Sequence, residues 1–233
     1  MESKKLAIMQ PYLFPYIGYF QLINAVDTFV IYDDVNFIKK GWINRNNILV
    51  NNTKFQFTFP IKSASQNTLI RDLNFNTEIS NNFLKTLKLA YHKAPNFQLC
   101  NEMFSEIFYY SKTNLTEYIA HSLNIICQYL GIKTQFMISS EIEKDKSLKG
   151  EQKIIEICKK LNATHYINPI GGLELYDKSK FFDEKIKLNF IQTKGIKYQQ
   201  FGDEFVPGLS IIDVIMFNSK TEISDFLLDY DLK

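Results

Sequence analysis

The chain has 233 residues, 45% hydrophobic and 15% aromatic, which is enough to bury one large core and excludes a mostly disordered chain. Its formal net charge is only +2, from 27 basic and 25 acidic residues, and the basic residues are scattered among acids. This balance argues against a protein that binds DNA or an anionic membrane through a polybasic surface.

The cysteines and the N-terminal segment also narrow the class of protein. Cys100, Cys127 and Cys158 lack the spacing of a zinc site or a disulfide framework, so we expect no metal and three buried thiols. The apolar run before Gln10 has only four residues, too few for a signal peptide, and no stretch approaches the roughly 18 apolar residues of a membrane span. We therefore expect a cytoplasmic protein without a membrane span.

The first elements predicted along the chain form a β-loop-α-β unit. An apolar run at residues 6–9 ends at Gln10, a helical pattern follows, and a second apolar run covers residues 28–32. Two acids, Asp33 and Asp34, end the second run. Because ligands bind beyond the carboxyl ends of parallel strands, we expect Gln10 and the two acids to border one common hollow.

The remaining pattern alternates between strands and helices. It predicts a β-hairpin at residues 47–59, a polar loop at 63–80 and three helices at 81–131. Three further strands with one helix among them follow at 134–192, and two final helices begin at residue 210. The simplest architecture is an α/β fold with a parallel-sheet core built from residues 1–62 and 132–233. In this interpretation residues 63–131 are a helical insertion or cap.

The loop after the first strand carries the pattern Tyr16-Ile17-Gly18-Tyr19. Gly18 would let a ligand approach the backbone closely, and the following helix N-terminus offers free N–H groups to phosphate. In position and spacing the pattern resembles the HxGH element of the nucleotidyltransferase and class I aminoacyl-tRNA synthetase superfamily, which implies a HUP-like core. Tyr16 and Tyr19 replace both histidines, and tyrosine cannot supply their positive charge. The alternative is an aromatic loop that packs its own rings.

A second group of candidates combines an aromatic ring with cations. Lys40, Trp42, Arg45 and Asn46 suit stacking against a base or sugar and pairing with a phosphate or carboxylate. Lys40 and Arg45 are alternatively surface residues of the hairpin.

The acids and histidines offer acid-base candidates. Adjacent strand residues point to opposite faces, so only one of Asp33 and Asp34 can enter a given cleft, where it could bind a sugar hydroxyl, hold a cation or accept a proton. The alternative for this pair is a solvated turn or cap. His92, between two predicted helices, is the best histidine for acid-base work, although a surface or capping role is the alternative.

The start of the first C-terminal helix is an anion-site candidate. Ser210 and Asp213 could bind an anion there, or they could form a capping box and nothing more. No phosphate loop, GxSxG, HExxH or GxGxxG motif is present in the sequence.

Three blocks together resemble the WbqC-like family. They are QPYLFPYIGYFQLI with the spaced Asp27, the pair Asp33-Asp34 followed by WINRN, and the late FxPxLSIID from Phe205. The resemblance runs from about residue 5 to about residue 225. Members of this family occur in bacterial O-antigen and other surface-polysaccharide gene clusters, and a role as glycine transferases has been suggested for some.

The resemblance implies an enzyme that transfers an acyl or aminoacyl group, of the glycyl type, to the amine of a nucleotide-linked amino sugar. Catalytic candidates are Asp33, Asp34, His92 and Arg45, and substrate-binding candidates are Gln10, Tyr12, Tyr16, Gly18, Tyr19, Lys40, Trp42, Asn46, Ser210 and Asp213. Its partners would be the amino sugar and an acyl donor; ATP is a candidate cofactor without a cofactor motif, and a homodimer is a candidate assembly. The alternatives are a nucleotidyltransferase acting on a sugar or alcohol phosphate and a non-catalytic sugar-nucleotide-binding subunit.

Overall fold

The computed structural model describes residues 3–62, 64–65, 67–76 and 79–233, and only the backbone of residues 79–81. Within them the strands are β1 (Lys5–Met9), β2 (Thr28–Ile31), β3 (Arg45–Val50), β4 (Thr53–Thr58), β5 (Ile61–Lys62), β6 (Asn74–Phe75), β7 (Gln135–Ile138), β8 (His165–Pro169), β9 (Lys187–Thr193) and β10 (Tyr230–Leu232). The helices are α1 (Ile17–Asn24), α2 (Ile79–Tyr91), α3 (Phe97–Phe108), α4 (Leu115–Leu130), α5 (Gly150–Lys160), α6 (Lys178–Asp183), α7 (Ile211–Phe217) and α8 (Lys220–Leu228). Among these described helices, none is long and apolar enough to cross a membrane.

A six-stranded sheet in the order β10-β9-β8-β1-β2-β7 organises the fold. Every neighbouring pair is parallel except β10 and β9, which are antiparallel. Counting only the parallel strands in chain order, the sequence of strands across the sheet is 3-2-1-4-5, the doubly wound arrangement. The prediction of an α/β fold around a parallel sheet is confirmed; the antiparallel edge strand β10 and the helix α6 were not predicted.

The strand order reverses between β1 and β8, and the sheet opens there. These two strands pair only at Lys5–His165 and Leu6–Tyr166, although both continue for three more residues. Extending the same register brings the carbonyl of Ile8 opposite the nitrogen of Pro169, which carries no hydrogen to donate. Pro169 therefore removes one donor at the carboxyl end of β8. The paired register covers only the amino-end residues of the two strands, beside the switch point where doubly wound proteins bind ligands.

Alternate residues of the central strands pack against two different helical layers. Ala7 and Phe29 belong to the larger core with α1, α4, α7 and α8, whereas Leu6, Ile8 and Val30 belong to a second core with α5 and α6. This period of two explains why β1 is apolar after Lys5 and β2 after Thr28. The result is a three-layer α/β/α arrangement whose carboxyl edge carries the loops after each parallel strand.

Helices α2–α4 and the β3–β4 hairpin contribute to the larger core as well. Asn114 caps α4 by accepting hydrogen bonds from the amides of Thr116 and Glu117. Pro95 precedes α3 by two residues, and Asn96 is the N-cap of this helix. The division into a core, 1–62 with 132–233, and an insertion, 63–131, stays a prediction. In the predicted 63–80 loop, residues 63, 66, 77 and 78 lie outside the described part.

Candidate functional site

The loop after β1 is anchored by two distant segments of the chain. The carbonyl of Phe14 accepts hydrogen bonds from Asn46 Nδ2 at 2.8 Å and Ser210 Oγ at 2.7 Å. The next carbonyl, that of Pro15, accepts from the amide of Ile211 at 2.8 Å. Phe14 has φ 46°, an uncommon value for a residue with a side chain, and these bonds hold it there. The three blocks of the sequence motif therefore meet at one place.

An open cleft of about 270 Å³ lies at this junction. Two of its rings are partly exposed, Trp42 at 46% and Tyr16 at 44%. The guanidinium of Arg45 lies 5.9 Å from the centroid of the Trp42 ring, and its Nε donates to the carbonyl of Gly41 at 2.8 Å. We call this space the aromatic cleft; its lining residues are Tyr12, Pro15, Tyr16, Trp42, Asn46 and Gly208. Such rings beside a cation suit a planar or sugar ring that carries an anionic group.

The two tyrosines of the aromatic cleft are neutral hydrogen-bonding groups at neutral pH. Burial raises the pKa of Tyr12, and the neighbouring Tyr16 adds to the increase. Burial also raises the pKa of Tyr16, although a hydrogen bond with Thr193 opposes it. Their hydroxyls can donate and accept hydrogen bonds but do not act as bases near pH 7.

Gln10 stands at the end of β1, beside the opened switch point. Its backbone carbonyl accepts a bond from the Tyr19 hydroxyl at 2.8 Å, and the Tyr19 ring packs against Tyr12 with centroids 5.5 Å apart. The half-buried side chain of Gln10 has no hydrogen-bond partner among the residues that the structure describes. An amide with donors and an acceptor is therefore available for a ligand next to the aromatic cleft.

Gly18 has a packing role that differs from the predicted ligand contact. A Cβ built on this glycine would collide with the ring of Tyr16 and the hydroxyl of Thr193. The close approach that only glycine allows is thus made by the protein's own side chains. The absent side chain lets the Tyr16 ring approach Gly18 in the first turn of α1 closely, and this ring lines the aromatic cleft.

We expect Gly18→Ala to displace the Tyr16 ring and to destabilise the fold by about 1–2 kcal/mol, as overpacking does. Thermal melts measure the stability, and the fluorescence of Trp42, the sole tryptophan, reports the change in the cleft. The matched control is Gly195→Ala, because a Cβ on Gly195 would meet no atom within 4 Å. Equal effects of the two substitutions would contradict this role of Gly18.

Asp33 is a buried residue whose side chain stabilises the fold. It is 1% exposed, and its two oxygens accept hydrogen bonds from the amide of Ser140 at 2.9 Å and the hydroxyl of Ser140 at 2.7 Å. Burial raises the pKa of Asp33, and the bonds from Ser140 oppose that shift. Since both oxygens are used and covered, we leave Asp33 out of the proposed site, although the sequence suggested a catalytic role.

Asp34 lies in a lysine cluster, which we define as Asp34, Lys144 and Lys153. Its Oδ2 is 3.0 Å from the ammonium of each lysine, and its Oδ1 accepts from the Ser139 hydroxyl at 2.7 Å. Burial alone would raise the pKa of Asp34, but Ser139, Lys153 and Lys144 outweigh it and hold that pKa below its usual value. A carboxylate with a lowered pKa is a weak base, so the structure does not favour Asp34 as a proton acceptor.

The predicted common hollow is divided in two. The aromatic cleft contains the tyrosines and Trp42, whereas Asp34 lines a separate cleft, and the described linings of the two clefts share no residue. Gln10 directly follows β1, which lies between β2 and β8 in the sheet, and it lines neither cleft. Both clefts and Gln10 follow the carboxyl ends of parallel strands, as the sequence predicted for this edge.

Ser210 and Asp213 stabilise α7 and do not form an exposed anion site. Ser210 caps α7 by accepting from the amide of Ile212 at 3.2 Å. Asp213 does not complete the predicted capping box: its oxygens accept from Tyr91 at 2.8 Å and from Tyr198 and Gln200 at 2.7 Å each. Both residues are fully buried, so we assign them to the fold.

Two further candidates lie outside the aromatic cleft. Lys40 is exposed in the turn before Trp42, with φ 63°, and His92 is exposed at the end of α2, its Nδ1 3.2 Å from the carbonyl of Lys88. Within the described chain, no group of three or more histidine, cysteine, aspartate or glutamate side chains is placed to hold a metal ion.

The sequence analysis missed several residues of the two clefts. Pro15 and Gly208 line the aromatic cleft, and Lys54 Nζ lies 3.5 Å from the place of a Cβ on Gly208. Lys144 and Lys153 were missed because only the fold brings them to Asp34. The glycine next to proline in the late motif was the one available signal for Gly208.

The topology and the clefts define a mixed α/β protein with a mostly parallel sheet and ligand-sized spaces along its carboxyl edge. The profile of the WbqC-like protein family matches residues 10–225, nearly the whole chain, and the chain belongs to this family. It is 30% identical over 228 residues to the uncharacterized protein Rv1507c of Mycobacterium tuberculosis (strain ATCC 25618 / H37Rv), covering 96% of this chain and 97% of that protein. No solved structure matches the chain significantly. The predicted family is confirmed, and the HUP-like identity of the core stays a prediction.

Proposed function

We propose that the protein is an enzyme of bacterial surface-polysaccharide, or O-antigen, biosynthesis that transfers an acyl or aminoacyl group to the amine of a nucleotide-linked amino sugar. Membership of the WbqC-like family supports the pathway class. The aromatic cleft supports the ligand class, and it is the observation that carries the proposal. Its exposed rings, neutral hydroxyls and adjacent guanidinium match a ligand with a base, a sugar and phosphates.

Different residues would contact different parts of such a ligand. Trp42 and Tyr16 offer ring faces, and Arg45, fixed by its bond to Gly41, offers charge to a phosphate or a carboxylate. The unpartnered amide of Gln10 offers hydrogen bonds at the switch point. Positioning and charge stabilisation are sufficient in principle for acyl transfer to a neutral amine, because the activated acyl group carries its own leaving group.

The direct test is mass spectrometry of an amino-sugar nucleotide incubated with the protein, ATP and a mixture of amino acids. The proposal expects a mass increase on the sugar equal to one amino acid less water. A thermal-shift panel with ATP and CTP accompanies it, since stabilisation by CTP alone would favour a nucleotidyltransferase instead. Binding of the sugar nucleotide with no product under any donor would contradict the transferase.

We expect Trp42→Ala to weaken binding of the amino-sugar nucleotide about tenfold or more, since stacking of one base contributes about 1–3 kcal/mol. Titration by calorimetry measures the affinity in each variant. Trp42→Phe keeps an aromatic face and should retain most of the binding, and melting should change little because Trp42 is 46% exposed. Unchanged affinity in Trp42→Ala would remove the aromatic cleft from the proposed site.

A binding subunit without catalysis is the second candidate, and one observation favours it. The carboxylates predicted as acid-base groups are all occupied: Asp33 by Ser140, and Asp34 by Ser139 and two lysines. In the same mass-spectrometric test this candidate predicts tight binding of the sugar nucleotide without turnover.

A further inference from the structure

The carboxyl ends of β2 and β7 border a cleft of about 460 Å³ that is separate from the aromatic cleft. Four cations from three stretches of the chain line it: Arg71 from the turn before β6, Lys144 and Lys146 from the loop after β7, and Lys153 from α5. We call this space the cationic cleft. Its volume falls in the range of small-molecule sites, and it lies at the edge of the sheet where parallel α/β proteins bind ligands.

In the deeper part of the cationic cleft, two positively charged side chains contact a single negatively charged one. The side chains of Lys144 and Lys153 are only 4% and 10% exposed, and both ammonium groups share the single carboxylate of Asp34. Asp33, the next acid, is hydrogen-bonded to Ser140. Backbone carbonyls complete the hydrogen bonding: Lys144 Nζ donates to those of Ser139 and Ile142, and Lys153 Nζ to that of Asp34. Within the described part of the chain, these neutral acceptors leave one of the two positive charges without a counter-ion, which is uncommon at such burial because desolvation is costly.

The outer part of the cationic cleft has exposed cations that can reach a ligand. Arg71 is 41% exposed in its side chain, and its Nε lies 3.7 Å from Oδ1 of Asp72, which is itself 57% exposed. Such an exposed ion pair is weak, so the guanidinium can exchange it for a phosphate. The backbone of Arg71 is fixed by bonds to the carbonyl of Asp33 and to Asn114 Nδ2. Lys146 is exposed on the loop before α5. Glu141 and Glu143 also line the cleft, and like Arg71 and Lys146 they are exposed. Solvent screens the exposed charges of both signs, so the nearly buried lysines dominate the field inside the cleft.

We propose that the cationic cleft is a second ligand site that binds a phosphate or diphosphate group, contacted by Arg71 and Lys146 and held by the field of Lys144 and Lys153. Arginine forms paired hydrogen bonds to phosphate oxygens, and a lysine pair in a poorly solvated wall strengthens the attraction. This site does not depend on the function proposed for the aromatic cleft.

The test is calorimetric titration of the full-length chain with pyrophosphate at low and high salt. The double variant Arg71→Ala/Lys146→Ala should lower the affinity at least tenfold, and its exposed positions should leave the melting temperature unchanged. The control is Lys133→Ala, an exposed lysine that precedes the amino end of β7. It should bind pyrophosphate as the unmodified chain does.

Two further arms identify the source of the phosphate and separate the two sites. Titrations with ATP and with an amino-sugar nucleotide show which ligand loses affinity in the double variant. Trp42→Ala should leave pyrophosphate binding intact, since Trp42 does not line the cationic cleft. Failure of pyrophosphate to bind at millimolar concentration, or its loss in Trp42→Ala, would overturn the proposal. Neither result would change the outcome expected in the mass-spectrometric test of transferase activity.

Discussion

Asp213→Ala is expected to lower the free energy of unfolding by about 3–5 kcal/mol, a large part of the stability of a domain. The carboxylate is fully buried and accepts three hydrogen bonds, from Tyr91, Tyr198 and Gln200. Each donor left buried without an acceptor costs about 1–3 kcal/mol. Tyr91 also accepts from the amide of Leu49, so the loss extends to the β3–β4 hairpin. Chemical denaturation of the two proteins measures the difference.

Two control variants show how large the loss of stability in Asp213→Ala is by comparison. Tyr198→Phe removes one of the three bonds and should cost about 1 kcal/mol, and Asp203→Ala removes an exposed acid of the same segment and should stay within about 0.5 kcal/mol. A loss in Asp213→Ala no larger than that in Asp203→Ala would show that the buried network contributes little.

The network also has a pH dependence with a definite sign. Burial raises the pKa of Asp213, although bonds from Tyr198, Gln200 and Tyr91 oppose it. A folded-state pKa above the unfolded value means that this group favours folding at low pH, and that contribution is lost as pH rises from the unfolded to the folded pKa. Asp213→Asn should remove this dependence.

Most of the elements could be predicted because their signals are local. The apolar run of β1, the asparagine cap of α4 and its glycine end, Gly131, depend on residues within one element. The strand β10 could not be predicted, because it is three residues long and exists only by pairing with β9. The helix α6 is also short, with six residues and one buried ring, Phe181.

The site could be predicted in its aromatic half and not in its charged half. The motif blocks contain Tyr12, Tyr16, Trp42 and Asn46, and these line one cleft as neighbours in space. The electrostatic character of Asp34 depends on groups 105 to 119 residues away in sequence, which no spacing rule connects to it. A lone acidic pair at a strand end looks the same whether its partners are solvent, substrate or lysines.

Asp34→Ala is the second substitution expected to have a large effect, about 3 kcal/mol of destabilisation, because it leaves two nearly buried ammonium groups without their counter-ion. The triple variant Asp34→Ala/Lys144→Met/Lys153→Met should be less destabilised than Asp34→Ala, since no uncompensated charge remains. The surface control is Glu156→Ala, which breaks a long, partly exposed ion pair with Lys160 and should change stability by less than about 0.5 kcal/mol. Denaturant titration at neutral pH ranks these proteins.

Acid titration distinguishes the ion cluster from simple packing at Asp34. Because the folded-state pKa of Asp34 lies below its usual value, its contribution is present above the unfolded pKa and is lost as pH falls through the folded one. The stabilities of the unmodified chain and of Asp34→Ala should therefore converge as the pH falls below about 4, the ordinary carboxylate range. A constant difference across that range would mean that the side chain stabilises by shape, and the charge argument for the lysine cluster would fail.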